Sequence, residues 1–222
     1  MSILGDMGAI VSAAWAGDPW MLRPAMQQDA AWVLGAIVLL LGGLAILGLY
    51  KLVPFLDRHL ERAVMVYSYL AVAVIIFQGV IDRFIFSDQA AWSTTVPPLL
   101  FMVMAWFGAA YNVRLRTHLN FSEFRMMMPR AAQMACLALD AVLWLGFALI
   151  VLVTTTRLTV LSASNFQIVL GTDNVMQWWF LVTVPISFLM MSARVMENLI
   201  EDIRNWRSGR EMLRQSVIGG GE

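Results

Sequence analysis

Long apolar stretches alternate with short polar connections along most of the chain. Five of the stretches approach the roughly 20 residues that a helix needs to cross a hydrocarbon core. They lie at about 30–50, 63–81, 95–113, 132–154 and 176–196. The pattern predicts an all-α integral membrane protein, a bundle of about five transmembrane helices.

Two shorter segments are apolar on one side and polar on the other at helical spacing. The segment "NFSEFRMMMPR", residues 120–130, predicts a short helix that lies in the headgroup layer. The segment "ENLIEDIRNWRSGREML", residues 197–213, predicts that the last span continues as an amphipathic helix. We expect residues 201–222 to form this helix and a flexible tail.

Composition supports a membrane protein and excludes several other classes. Hydrophobic residues make up 60% of the 222 positions, above the roughly 45–50% of soluble domains. The formal net charge is zero, so the total says nothing about partners and only the placement of the charges can. No nucleic-acid partner is expected. Cys136 is the only cysteine, which rules out an internal disulfide framework.

The cations are 14 arginines and one lysine, and their placement predicts the orientation. The connections after the first and third spans and the segment after the fifth are basic, whereas 82–94 contains only Arg83 and 155–175 only Arg157. The basic regions carry Lys51, Arg58, Arg62, Arg114, Arg116, Arg125, Arg130, Arg194, Arg204, Arg207, Arg210 and Arg214. All of them fall on one face, which predicts a cytoplasmic C-terminus and a periplasmic N-terminal segment, 1–29.

Asp140 is a carboxylate well inside the fourth predicted span. A charge at that depth costs a few kcal/mol on insertion scales, so we expect Asp140 to face protein or trapped water. Its predicted partner is a group on another subunit or a hydroxyl or amide of this chain. The candidates here are Tyr67, Ser68, Tyr69, Gln78 and Asn112. Gln78 and Asn112 are themselves predicted as buried polar groups or partner contacts. A free-standing small carrier built around Asp140 stays open, although no repeated halves or second buried acid support it.

His59 and His118 are the only histidines, and both lie at predicted cytoplasmic span ends. Two such imidazoles could ligate one haem iron in a quinone-linked membrane anchor subunit, which is the alternative function. Their charged surroundings favour interfacial anchoring instead. No Ser/His/Asp order, phosphate loop or metal-ligand spacing is present. We therefore predict neither an enzyme nor a cofactor or metal site.

Several segments in order resemble the small membrane subunit of tripartite ATP-independent periplasmic (TRAP) transporters, the DctQ family. They are "ERAVMVYSYLAVAVIIFQGVIDRFIF", "LLFMVMAWFGAAYNVRLRTHLNFSEFRMMMP" and "MQWWFLVTVPISFLMMSARVMENL". The positions that match are Gln78, Arg83, Trp92, Gly108, Ala109, Ala110, Arg114, His118, Pro185, Met191 and Arg194. The resemblance covers a four-helix membrane domain, 61–200, and leaves 30–50 as an extra N-terminal span.

The resemblance implies a scaffold subunit in the bacterial inner membrane. It would bind a large membrane subunit that takes up an organic acid with sodium, and a periplasmic binding protein would deliver the substrate. Membrane lipids are further partners, with Arg114, Arg116, His118 and Arg125 as cytoplasmic anchor candidates. The helix-packing candidates are Gly108, Ala109, Ala110 and Pro185.

Overall fold

The computed structural model describes residues 3–116, 125 and 127–211. Within these ranges the regular structure is helical, apart from an isolated antiparallel β-bridge between Ile168 and Met176. Five helices are long and apolar enough to cross a membrane. The prediction of an all-α integral membrane protein with five spans is therefore confirmed.

The helices follow one another with short connections. They are α1 (Ile3–Ala16), α2 (Pro19–Met26), α3 (Ala30–Leu52), α4 (Pro54–Ile81) with a π-helical end (Asp82–Phe86), α5 (Trp92–Leu115), α6 (Arg130–Ser164), α7 (Trp178–Leu181) and α8 (Thr183–Ser208). The spans comprise α3, α4, α5, α6 and the pair α7–α8. The predicted interfacial helix lies mostly outside the described residues, as does His118.

The helices extend beyond the predicted apolar stretches. Helix α4 begins at Pro54, nine positions before the predicted span, and α6 continues to Ser164, ten positions after it. Apolarity marks only the part of a helix that lies in hydrocarbon, whereas backbone hydrogen bonding continues through charged turns. The charged first turns of α4 are also packed against protein, since Glu61 is buried.

Pro185 lies close to a break in the fifth span. Helix α7 ends at Leu181 and α8 begins at Thr183, so the break falls at Val182, three residues before the proline. Proline has no N–H to donate to the carbonyl of residue i−4, and its ring collides with that carbonyl. The i−4 residue here is Leu181, where the first helix ends.

Helix α8 is the most buried span and α4 the least buried. The main apolar cluster draws residues from α3, α5, α6 and α8. Its buried members are Leu39, Ala110, Val113, Ala141, Ala148, Leu152, Val184, Phe188, Met191 and Val195. The spans therefore pack around α8, and α4 joins the bundle mainly through α5.

Helices α1 and α2 form a smaller unit that packs on the N-terminal end of α3. Ile10, Ala25 and Met26 from this unit cluster with Ala31 of α3 and Val153 of α6. Arg157 of α6 closes the contact, because its Nε donates to the carbonyl of Met26 at 2.7 Å. This unit thus docks on the membrane helices through apolar packing and a helix-end hydrogen bond.

Candidate functional site

A buried arginine lies where the predicted cytoplasmic ends of four spans meet. Arg194 of α8 is 1% exposed, and its Nε donates to Glu61 Oε1 at 2.8 Å. Its Nη1 donates to Asp57 Oδ1 at 2.6 Å and to Glu197 Oε2 at 3.0 Å. Its Nη2 donates to the carbonyl of Asp57 at 3.1 Å. All three nitrogens of the guanidinium are therefore engaged.

Asp57 connects Arg194 to a second arginine. Arg114, near the end of α5, donates from Nη2 to Asp57 Oδ2 at 3.1 Å and from Nη1 to the Asp57 carbonyl. The two carboxylate oxygens of Asp57 thus accept from different helices, α5 and α8. Arg114 and Arg194 are far apart in the sequence, yet both occupy positions on which the family resemblance depends.

Tyr50, near the end of α3, adds a third element to this contact. The Arg194 guanidinium carbon lies 4.1 Å from the centre of the Tyr50 ring, a cation–π distance. The Tyr50 hydroxyl donates to Glu61 Oε1 at 3.2 Å. We refer to these side chains together as the Arg194 cluster: Tyr50, Asp57, Glu61, Arg114, Arg194 and Glu197.

The Arg194 cluster places two cations against three carboxylates in a largely buried setting. Such groups are costly to desolvate, and the cost is offset only when nearly every donor has an acceptor. Glu61 Oε2 is buried and, among the described residues, accepts no hydrogen bond. The arrangement can fix four helices relative to one another, and it engages all three nitrogens of the Arg194 guanidinium.

A second set of contacts joins the end of α5 to the extension of α8. Arg116 has a left-handed backbone conformation, φ 53°, that ends α5. Its guanidinium donates to Asp202 at 2.7 Å, to Glu201 at 3.2 Å and to the carbonyl of Asn198 at 3.0 Å. Asn198 in turn donates to the carbonyl of Val113 at 2.9 Å. The predicted extension of α8 therefore packs against the bundle.

Asp140 has a charged partner within the chain. Arg125 donates from two nitrogens to its two carboxylate oxygens, at 2.5 and 3.1 Å, and this hydrogen bonding raises the pKa of Arg125. The partner of Asp140 within the chain is therefore a guanidinium and not the hydroxyl or amide that we expected. Asp140 is 39% exposed and lies beside Leu143, Trp144 and Phe147 on a shallow groove. A contact with another subunit stays a prediction.

Gln78 and Asn112 are not buried within the chain, contrary to one of the two expectations for them. Both are exposed on the isolated chain. Gln78 donates to Asp82 at 2.7 Å, one turn further along α4. Partner contact stays a prediction for both.

The helix-packing candidates lie at interfaces between spans. A Cβ at Gly108 would lie 3.3 Å from Met65 Sδ of α4. Ala110 and Pro185 are buried, and Ala109 packs against the main apolar cluster. Small side chains at these positions allow α4 and α8 to approach their neighbours closely.

The arginines proposed as lipid anchors contact protein groups in this structure. Arg114 pairs with Asp57, Arg116 with Asp202 and Arg125 with Asp140. Their role toward headgroups stays a prediction, and His118 lies outside the described residues. His59 is exposed, stacks on Phe55 and has its Nδ1 3.1 Å from the Phe55 carbonyl. Among the described residues, no group of three or more His, Cys, Asp and Glu side chains is placed to bind a metal.

Asp57, Glu61, Tyr50 and Glu197 were not predicted as site residues. The signal for two of them was present, because Asp57 and Glu61 are spaced i, i+4 on a helix that then enters the membrane. That spacing places both carboxylates on one side of α4. The sequence analysis assigns this segment to the basic connection after the first span.

Comparison with known proteins shows similarity over more than half of the chain. The family described as "Tripartite ATP-independent periplasmic transporters, DctQ component" matches residues 72–205, more than half of the chain. The chain is also 23% identical over 174 residues to the sialic acid TRAP transporter small permease protein SiaQ of Vibrio cholerae. That alignment covers 75% of this chain and 96% of the relative.

Proposed function

The chain belongs to the DctQ family of tripartite ATP-independent periplasmic transporters, and from this membership we propose that it binds the large membrane subunit as a fixed scaffold. It is a small permease subunit and a multi-pass membrane protein of such a transporter. The complex would take up an organic acid with sodium, and a periplasmic binding protein would deliver the substrate. The N-terminus would lie in the periplasm and the C-terminus in the cytoplasm.

The Arg194 cluster is the observation that carries the scaffold role. It joins α3, α4 and α8 through one buried guanidinium and adds α5 through the pair of Arg114 and Asp57. The ion pairs of Arg116 extend the connection along α8. A subunit against which a partner moves has to resist relative displacement of its own helices. Charge pairs that are costly to separate provide that resistance.

The proposed substrate class is broader than the substrate of the named relative. The Vibrio cholerae relative is named for an organic acid, sialic acid, but 23% identity does not transfer the specificity. We propose only that the cargo is an organic acid anion. Its identity would depend on the large subunit and the binding protein.

Co-expression with the large subunit tests this proposal. With an affinity tag on the large subunit, we expect the chain to co-purify in a constant ratio. Proteoliposomes that contain both subunits should take up the substrate only with the binding protein and an inward sodium gradient. Proteoliposomes with either membrane subunit alone should be inactive.

Three results would contradict the proposal. Failure of the two subunits to co-purify would remove the scaffold role. Uptake by this chain alone, lost in Asp140→Asn, would support the free-standing carrier. A Soret band in the purified chain, lost in His59→Ala or His118→Ala, would support the haem-binding anchor.

A further inference from the structure

Helix α1 has an unusual distribution of polar and apolar side chains. Asp6 is its single charged residue, and it lies on the inner side together with the buried Ile10 and Ala13. The outer side is apolar: Leu4 is 80% exposed and Trp15 is 93% exposed. A surface helix in water has the opposite arrangement, with charges outside and apolar residues toward the core.

The length of α1 excludes a membrane crossing. Fourteen residues span about 21 Å at 1.5 Å per residue, whereas the hydrocarbon core is about 30 Å thick. The exposed apolar face of α1 therefore requires an explanation other than a sixth span.

The surroundings of α1 place it beside the lipid-facing surface of the bundle. A shallow groove is lined by Leu4, Met7, Val11 and Trp15 of α1 and by Leu34 of α3, one turn into that membrane span. Beyond Leu34, the exposed side chains of Ile37, Val38 and Leu41 continue the apolar surface down α3. The inner side of α1 shares a cluster with Val153 of α6, another spanning helix.

We propose that α1 lies within the outer leaflet, roughly parallel to the membrane plane, with its exposed face against lipid acyl chains. The occupant is lipid because the apolar surface is continuous with that of a spanning helix and carries no charge to pair with a protein partner. Trp15 and Trp20, at the end of α1 and the start of α2, are exposed, and tryptophan is enriched at the membrane–water interface. The choice of leaflet rests on the proposed orientation of the chain; the lipid contact does not.

Spin-label accessibility tests this placement. In a Cys136→Ser background, single cysteines replace Leu4 and Val11 on the outer side of α1, and each is labelled with a nitroxide. Leu41 on α3 provides the lipid-facing reference, and Asp88 in the connection before α5 provides the aqueous one; both are exposed. The full chain is reconstituted in phospholipid nanodiscs, alone and in complex with the large subunit.

We expect labels at Leu4 and Val11 to respond as at Leu41. Molecular oxygen should relax these labels strongly and a water-soluble nickel complex should relax them weakly, both with and without the large subunit. A label at Asp88 should show the reverse. Strong nickel relaxation at Leu4 and Val11 would place the face in water. Shielding from both reagents would show a protein cover. Either result overturns the lipid contact without bearing on co-purification, and unchanged melting of the labelled variants controls for folding.

Discussion

Arg194 makes a set of hydrogen bonds that a lysine could not make. Its planar guanidinium donates in three directions, toward Glu61, toward Asp57 and toward Glu197, while its face rests on Tyr50. A lysine ammonium is a compact charge without this planar geometry. Because the acceptors belong to different parts of α4 and α8, the loss of one side chain affects several helix contacts at once.

Removal of Arg194 should be the most damaging single change in the cluster. We expect Arg194→Ala to lower the free energy of unfolding by about 3–5 kcal/mol, because Glu61 and Asp57 would lose their buried cation. Denaturant unfolding of the purified chain in detergent measures this. Arg207→Ala, on the exposed end of the same helix, is the control and should change stability by less than about 0.5 kcal/mol. Equal effects of the two variants would contradict a structural role for the cluster.

Asp57 should couple Arg114 energetically to the rest of the cluster. In a double-mutant cycle of Asp57→Asn and Arg114→Gln, we expect a coupling energy of about 0.5–3 kcal/mol, because the two residues share direct contacts. The same cycle with Arg130→Gln should be additive, since Arg130 donates to Gly209 and Arg210 instead. Additivity in the Arg114 cycle would show that the ion pair contributes little.

At the scale of the elements, glycines on α3 decide how closely it packs. A Cβ at Gly43 would lie 2.6 Å from Ser192 Oγ of α8, and one at Gly35 would lie 2.4 Å from Val153 Cγ2 of α6. Neither distance can be accommodated without movement. Ser192 also donates to the carbonyl of Leu39 at 3.3 Å, so a displaced Ser192 would lose a contact between α3 and α8.

Gly43→Ala should therefore destabilise the chain, by about 1–3 kcal/mol for an overpacked contact. Gly48→Ala is the matched control on the same helix, because nothing lies within 4 Å of its Cβ position. This control should be neutral or slightly stabilising, since alanine favours helix over glycine by up to about 1 kcal/mol. The melting temperatures of both variants in one detergent test this prediction. A Gly43→Ala variant that melts at a higher temperature than the unmodified chain would contradict close packing of α3 against α8.

For the whole molecule, the charged ends of the spans predict one orientation. The basic ends of α3, α5 and α8 meet in the Arg194 cluster and the Arg116 contacts, so they lie on the same face of the bundle. The connections at 87–91 and 165–177 lie at the opposite ends of the spans they join. The positive-inside tendency predicts that the first face lies in the cytoplasm.

Cysteine labelling in intact cells tests this orientation. In a Cys136→Ser background, we expect Asp88→Cys and Asp173→Cys to react with a membrane-impermeant maleimide added outside the inner membrane, because both positions are exposed on the connections. Arg207→Cys, on the extension of α8, should react only after the membrane is permeabilised. The reverse pattern would invert the proposed topology.

The features that the sequence determines by itself depend on properties of short segments. Apolar length gave the five spans, and the ordered motifs identified the family. The charge distribution supports an orientation that remains to be measured. The tertiary structure decided which distant groups meet: Arg194 with Glu61 and Asp57, and Asp140 with Arg125. It also placed the apolar face of α1 outward. Such pairings depend on which helix faces are turned toward each other, and no short segment of the chain specifies that.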